Sequence, residues 1–174
     1  MHPDRLRWNA RYETTPPDFV PHPFAAEALR AGIPDGRVLE FACGRSGTAL
    51  AFAEAGRDVV AVDVSDLALG QLAEEASRRG LRVECVLADA HAYQPEGEFA
   101  LVMAIRFWDP DVYATACQAV ASGGLVQWEA LADPGGGRWR VRPGELSARL
   151  PEGFLVLSEQ TASDASRLTA RRVR

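Results

Sequence analysis

Lysine is missing altogether: all 19 basic residues of the 174-residue chain are arginine. That excludes a lysine Schiff base and the lysine of a phosphate-binding P-loop. Cysteine is scarce. Cys43, Cys85 and Cys117 form no CxxC pair and no Cys/His cluster, which excludes a structural zinc site of ordinary spacing and fits reduced thiols in the cytoplasm. His2, His22 and His91 are isolated, so no metal is expected. No stretch approaches the ~20 apolar residues of a membrane span, and the charged start MHPDRLRWNARYE lacks the apolar run of a signal peptide. A soluble, cytoplasmic protein with no membrane partner is the expectation. Net positive charge is lacking too: a formal charge of -5 argues against general nucleic-acid binding, which needs clustered cations to neutralise phosphates.

What is present is ordinary globular material, 47% apolar and 25% charged, of a length that suits one domain over residues 1–174. Residues 1–23, with Pro16, Pro17, Pro21 and Pro23, read as an extended N-terminal segment. Phe24 to Ala31 reads as a helix. The chain's organising stretch is Val38 to Ser65: strand Val38–Ala42, turn Cys43-Gly44-Arg45-Ser46-Gly47, helix Thr48–Ala55, and strand Asp58–Val62 closed by Asp63. Such a βαβ unit turns backbone N–H groups toward a polar ligand, and an acid ending its second strand is placed to accept hydrogen bonds from ribose hydroxyls.

A helix capped by Ser65 or Asp66 follows, with Leu69, Leu72, Ala73 and Ala76 on one face and Arg78-Arg79-Gly80 closing it. Strands are expected at Leu81–Leu87, Phe99–Ile105 and Leu125–Leu131. A helix opens at Asp109-Pro110-Asp111 and runs to Ser122-Gly123-Gly124. A mobile loop at Asp133–Gly137 and a short helix over Pro143–Leu150 precede a strand pair, Phe154–Gln160 and Arg167–Val173. The alternation predicts an α/β fold: a Rossmann-like, doubly wound, seven-stranded sheet, mainly parallel with a C-terminal antiparallel hairpin.

The glycine turn decides the cofactor. A dinucleotide site wants G-x-G-x-x-G directly after the first strand, whereas here the glycines are Gly44 and Gly47, preceded by Glu40-x-Ala42-x-Gly44. That spacing resembles motif I of the class I S-adenosylmethionine (SAM) methyltransferases, D/E-x-G-x-G-x-G or D-x-x-C-G-x-G, with Ala42 a common substitute. Ser46 stands where glycine is usual, and a serine held at positive φ would strain the turn. The wider chain is similar to the small methyltransferases related to tellurite-resistance and thiopurine methyltransferases. Trp8-Asn9-Ala10-Arg11-Tyr12 resembles their W-D-x-R-Y opening, Arg106-Phe107-Trp108 an R-[FY]-L tripeptide, and Gly123-Gly124-Leu125, Glu129 and Arg142-Pro143-Gly144-Glu145-Leu146 their late motifs. Trp108-Asp109-Pro110 replaces a Leu-His-Arg found in many relatives, so no histidine-dependent step carries over.

The resemblance implies a transferase that moves a methyl group from SAM to a small-molecule nucleophile, leaving S-adenosylhomocysteine. It implies that Glu40 addresses the amino group of SAM, that Ala42, Gly44 and Gly47 let the backbone approach it, and that Asp63 takes the ribose. Val64 would pack on adenine, with Asp89 and Ala90 at the adenine amino group. Ile105 would border the sulfonium, and Arg11 would clamp the SAM carboxylate or an anionic acceptor. Arg106, Phe107, Trp108 and Tyr12 are candidates for the acceptor, as are Asp109 and Glu129. The N-terminal segment would cover the cofactor, and Arg138-Trp139-Arg140 is a candidate lid. No residue is assigned as a general base. Two other readings stay open: a SAM- or S-adenosylhomocysteine-binding protein without transferase activity, and an NAD-linked oxidoreductase.

Overall fold

The structure, a computed structural model, describes residues 3–173. Its elements in chain order are helix α1 (Pro3–Thr14), α2 (Phe24–Ala31), strand β1 (Val38–Phe41), α3 (Gly47–Glu54), β2 (Val59–Asp63), α4 (Asp66–Arg78), β3 (Val83–Leu87), β4 (Phe99–Ala104), α5 (Pro110–Gln118), β5 (Val120–Leu131), α6 (Glu145–Ala148), β6 (Phe154–Ala162) and β7 (Ala165–Arg172). The seven strands form one sheet in the order β3-β2-β1-β4-β5-β7-β6. β1 with β2, β2 with β3, and β4 with β5 pair in parallel, while β5 with β7 and β7 with β6 are antiparallel. This is the Rossmann-like α/β sheet with a closing hairpin that the alternation of elements predicts. The chain divides into two compact units, residues 3–31 with Arg37–Tyr93, and Gly32–Gly36 with residues 94–173.

In the first unit, β1 (VLEF) and β2 (VVAVD) are buried at every position, as expected of parallel strands covered on both faces. Ser65 caps α4 by accepting from the Ala68 N–H at 3.1 Å. Ala68, Leu69, Leu72 and Ala76 form the buried face of α4; Ala73, expected on it, is exposed. The N-terminal segment also differs from expectation. Residues 3–14 are helical and only the remainder is irregular, because the breaking prolines begin at Pro16, beyond the helix, and Pro3 sits at its first turn where a missing N–H does no harm.

In the second unit, β4 (FALVMA) is wholly buried. Asp109 caps α5 through Oδ1, which accepts from the N–H groups of Asp111 at 2.9 Å and Val112 at 3.1 Å. This helix stops at Gln118, four residues before the expected Ser122, and β5 begins at Val120. The early start is a bulged stretch in which Phe99 opposes Val120 and Leu101 already opposes Leu125. Gly124 is there for lack of room: an added Cβ would lie 2.8 Å from the Ala100 carbonyl. Trp108, Tyr113 and Trp128 form a buried aromatic cluster, with ring centroids 5.6 Å apart for the first pair and 5.1 Å for the second.

Candidate functional site

The tips of β1 and β2 carry the first unit's two buried acids. Glu40 is 2% exposed and Asp63 8%. After β1 the chain reverses through Ala42 (φ 48) and Gly44 (φ 55), both left-handed. Ser46 is not left-handed: with φ -77 and ψ 106 it is the N-cap of α3, so the strain expected of a serine in a glycine turn does not arise. Its hydroxyl donates to Glu40 Oε2 at 2.5 Å and accepts from the Ala49 N–H at 2.9 Å. A serine just before a small-residue helical run is an N-cap signal in its own right, one that motif matching misses; the bond to Glu40 has no such signal in the sequence.

Asp63 is held by backbone. The Gly44 N–H donates to Oδ2 and the Ser65 N–H to Oδ1, each at 2.8 Å. These bonds fix the carboxylate while leaving each oxygen a further lone pair. Among the described residues neither Glu40 nor Asp63 has an ion-pair partner. Burial accordingly pushes the Glu40 carboxyl up to about 8, against the lowering by the Ser46 hydrogen bond and with the Asp63 charge adding to the rise. Burial also raises Asp63, opposed by the amides of Ser65, Gly44 and Val64. Two buried carboxyls without counter-charge suit a ligand that brings a cation to one and hydroxyl donors to the other.

α1 and the strap after it lie on this turn. The Tyr12 hydroxyl stands so close to Gly44 that a Cβ there would overlap it. Burial pushes the Tyr12 phenol up to about 12, with the Asp63 charge adding to the rise. The Arg45 guanidinium sits 4.6 Å over the Tyr12 ring and donates to the Thr15 carbonyl at 2.9 Å. Trp8 stacks on Tyr12 at 6.1 Å, and Arg11, exposed, lies 5.7 Å over Trp8. A Cβ on Gly47 would run into the backbone of Phe19 and Val20, and the His22 N–H donates to Thr48 Oγ1 at 2.8 Å. The start of α3 is therefore covered by the strap, and the strap is what requires Gly47 to be small.

Val64 is half-buried beside Asp63. Beyond β3, Asp89 and Ala90 are half-buried; Asp89 Oδ1 accepts from the His91 N–H at 3.0 Å, and the Ala88 N–H donates to the Asp63 carbonyl at 3.0 Å. The structure thus gathers Glu40, Ala42, Gly44, Asp63, Val64 and Tyr12 around one turn, with the Asp89 turn joined to the end of β2.

The second unit holds the other candidates. Ile105 is half-buried at the end of β4, and Arg106 is exposed with φ 55, its guanidinium 3.6 Å from Asp164. The Phe107 N–H donates to the Glu129 carbonyl at 3.1 Å, and Trp128 Nε1 donates to the Phe107 carbonyl at 2.8 Å. Trp108 is only 4% exposed and belongs to the aromatic cluster. Glu129 is buried and paired with Arg167 at 2.5 Å. Among the described residues no group of three or more His, Cys, Asp or Glu is arranged to hold a metal, and no helix is long and apolar enough to cross a membrane.

A family model described as a methyltransferase domain matches residues 38–124, half of the chain. The chain belongs to this family, as a class I SAM-dependent methyltransferase whose cofactor is SAM. Among solved structures it is similar to TehB from Haemophilus influenzae, with a TM-score of 0.78 and 16% identity over 97% of this chain and 66% of that one. It is similar to the CcbJ methyltransferase from Streptomyces caelestis (TM-score 0.72, 18% identity, 95% of this chain and 96% of that one). It is likewise similar to the magnesium protoporphyrin IX methyltransferase of Synechocystis PCC 6803 with bound SAM (0.71, 14% identity, 97% and 82%). At these identities the likeness is one of fold, and the chain spans just under two thirds of the Haemophilus protein's length. A search of curated proteins found no match.

Proposed function

We propose that the protein transfers a methyl group from SAM to a small-molecule nucleophile in the cytoplasm, by in-line displacement, with residues 1–174 acting as one methyltransferase domain. The observation that carries this reading is the pair of buried, uncompensated acids, Glu40 and Asp63, on either side of the Gly44 turn. A cationic amino group beside Glu40 would supply its missing counter-charge, and a vicinal diol would complete the free lone pairs of Asp63. Ala42, Gly44 and Gly47 would supply backbone around the ligand, with Gly47 already crowded by the strap. Val64, Asp89 and Ala90 would hold the adenine, and Ile105 and Arg11 would complete the cofactor set. Arg106 and Phe107 in the second unit and Tyr12 in the first are the acceptor candidates, whereas Trp108 is buried in its aromatic cluster with Tyr113.

When bound, SAM supplies an already activated methyl group on a sulfonium. The residues then have to orient, desolvate and align, which can contribute on the order of 7–11 kcal/mol of barrier reduction. No proton acceptor is assigned, and a thiol or metalloid anion would need none. Because Ser46 caps α3 at an ordinary negative φ, the turn carries no serine strain that would favour a binding protein without transfer activity.

Thermal shift with S-adenosylhomocysteine, SAM and NAD tests the cofactor, since a ligand at 100 times its Kd stabilises by about 2.7 kcal/mol. S-adenosylhomocysteine should stabilise the wild type, and Asp63→Ala should lose most of that shift while keeping its fold. Stabilisation by NAD alone would overturn the reading.

A further inference from the structure

α1 has no buried residue, and a helix of its length is marginal in water on its own. Polar contacts hold it. Arg5, Asn9 and Tyr12, spaced i, i+4 and i+7, share one face. Arg5 Nε donates to Asp66 Oδ1 at 2.9 Å and Nη2 lies 2.6 Å from Oδ2. Asn9 Nδ2 donates to the same Oδ1 at 2.8 Å, while Asn9 Oδ1 accepts from the Ser65 hydroxyl at 2.6 Å. Ser65 is fully buried, caps α4 with that same oxygen, and donates its N–H to Asp63 Oδ1. One turn farther along α1, the Tyr12 hydroxyl rests on Gly44, whose N–H holds Asp63 Oδ2. A single polar helix face therefore bears on both oxygens of the Asp63 carboxylate.

We propose that Asn9 and Arg5 are positioning residues for Asp63, and that α1 is a latch whose docking sets how long the cofactor stays bound. The inference rests on the reading of Asp63 as the ribose acid. Asp66 fixes the Asn9 amide by taking its N–H, which turns Oδ1 toward Ser65. Ser65 then has its proton committed to Asn9 and its lone pair to Ala68, and its backbone N–H stays aimed at Asp63. Without Asn9 the hydroxyl proton has no partner in α1, and Ser65 and the Asp63 carboxylate gain freedom together. Coupling of this kind is reciprocal, so a ligand on Asp63 should in turn hold α1 down.

The test uses S-adenosylhomocysteine as the probe, with the full chain as wild type, Asn9→Ala, Arg5→Ala and Arg5→Lys. Kd and dissociation rate are measured at low and high salt, with urea midpoints confirming that each variant folds. Asn9→Ala should bind about three- to tenfold more weakly and Arg5→Ala about two- to fivefold, chiefly through faster dissociation, with Arg5→Lys recovering part of the loss. Wild-type dissociation should quicken with salt as the exposed Arg5–Asp66 pair is screened, and Arg5→Ala should be insensitive. A purely structural contact would lower the urea midpoint without removing that salt response. Hydrogen exchange in α1 should slow when the probe binds. Wild-type binding with unchanged variants, or with unprotected α1 amides, overturns the latch alone. Failure of the wild type to bind the probe overturns the cofactor reading and the latch with it.

Discussion

Ser46 and Glu40 act as one unit at the head of α3, and each has a measurable signature. The Ser46 hydroxyl caps the helix and donates to Glu40 in the same geometry. Ser46→Ala removes both bonds and should destabilise the protein by about 1–2 kcal/mol in urea unfolding; a loss under about 0.3 kcal/mol would mean the side chain is not a working cap. Glu40 gives a pH dependence. Its carboxyl is raised from 4.5 to about 8 in the folded chain, so the folded state favours the protonated form. That stability is fully present below about pH 4.5 and is lost as pH rises through about 8. Between pH 5 and 8 the wild type should therefore weaken by roughly 1–3 kcal/mol relative to Glu40→Gln. Urea midpoints that stay parallel for the two proteins across that window would remove Glu40 as the cause. If a cationic ligand group sits beside Glu40, binding favours the carboxylate and releases a proton, so affinity for S-adenosylhomocysteine should rise from pH 6 toward 8.

Among the elements, two glycines separate conformational cost from crowding. Gly70 lies within α4 with nothing near the position of a Cβ, so Gly70→Ala should stabilise by about 0.5–1 kcal/mol through helix propensity alone. Gly124, where a Cβ would meet the Ala100 and Ala121 carbonyls at 2.8 and 2.9 Å, should lose about 1–3 kcal/mol on the same change. Equal effects in urea unfolding would contradict both assignments. The elements also mark how far the sequence could be read. β1, β2 and β4 were legible because each is a short, continuous apolar run, and the tip acids Glu40 and Asp63 followed from the turn between the first two. α1 was not legible, since it has no apolar stripe; its partners, Ser65 and Asp66, lie more than 50 residues away. The early end of α5 was hidden because a bulge opposite Phe99 leaves no periodic trace. At Ser46 the informative signal is a hydroxyl before a helix, which the glycine motif obscures.

For the whole molecule, burial is distributed unevenly enough to predict the order in which it opens. β1, β2 and β4 bury every residue, and β5 buries an unbroken run from Gly124 to Ala130. At the sheet's edge, β6 leaves Leu155, Val156 and Leu157 exposed and is bulged between Val156 and Ser158. No residue of α1 is fully buried, and its contacts with α4 are the exposed Arg5–Asp66 ion pair and hydrogen bonds from Asn9 to Asp66 and from Ser65 to Asn9. Local opening is easiest where few apolar contacts break, so amide exchange should form a ladder. Amides of β4 and central β5 should exchange only on global unfolding, those of β6 at intermediate cost, and those of α1 first among the helices. Because an exposed ion pair contributes at most about 1 kcal/mol, the α1 amides should open at free energies far below the global value, and high salt should lower them further while leaving β4 unmoved. Native-state hydrogen exchange at two salt concentrations measures this directly. Protection of α1 equal to that of β4 would mean that the helix belongs to the cooperative core.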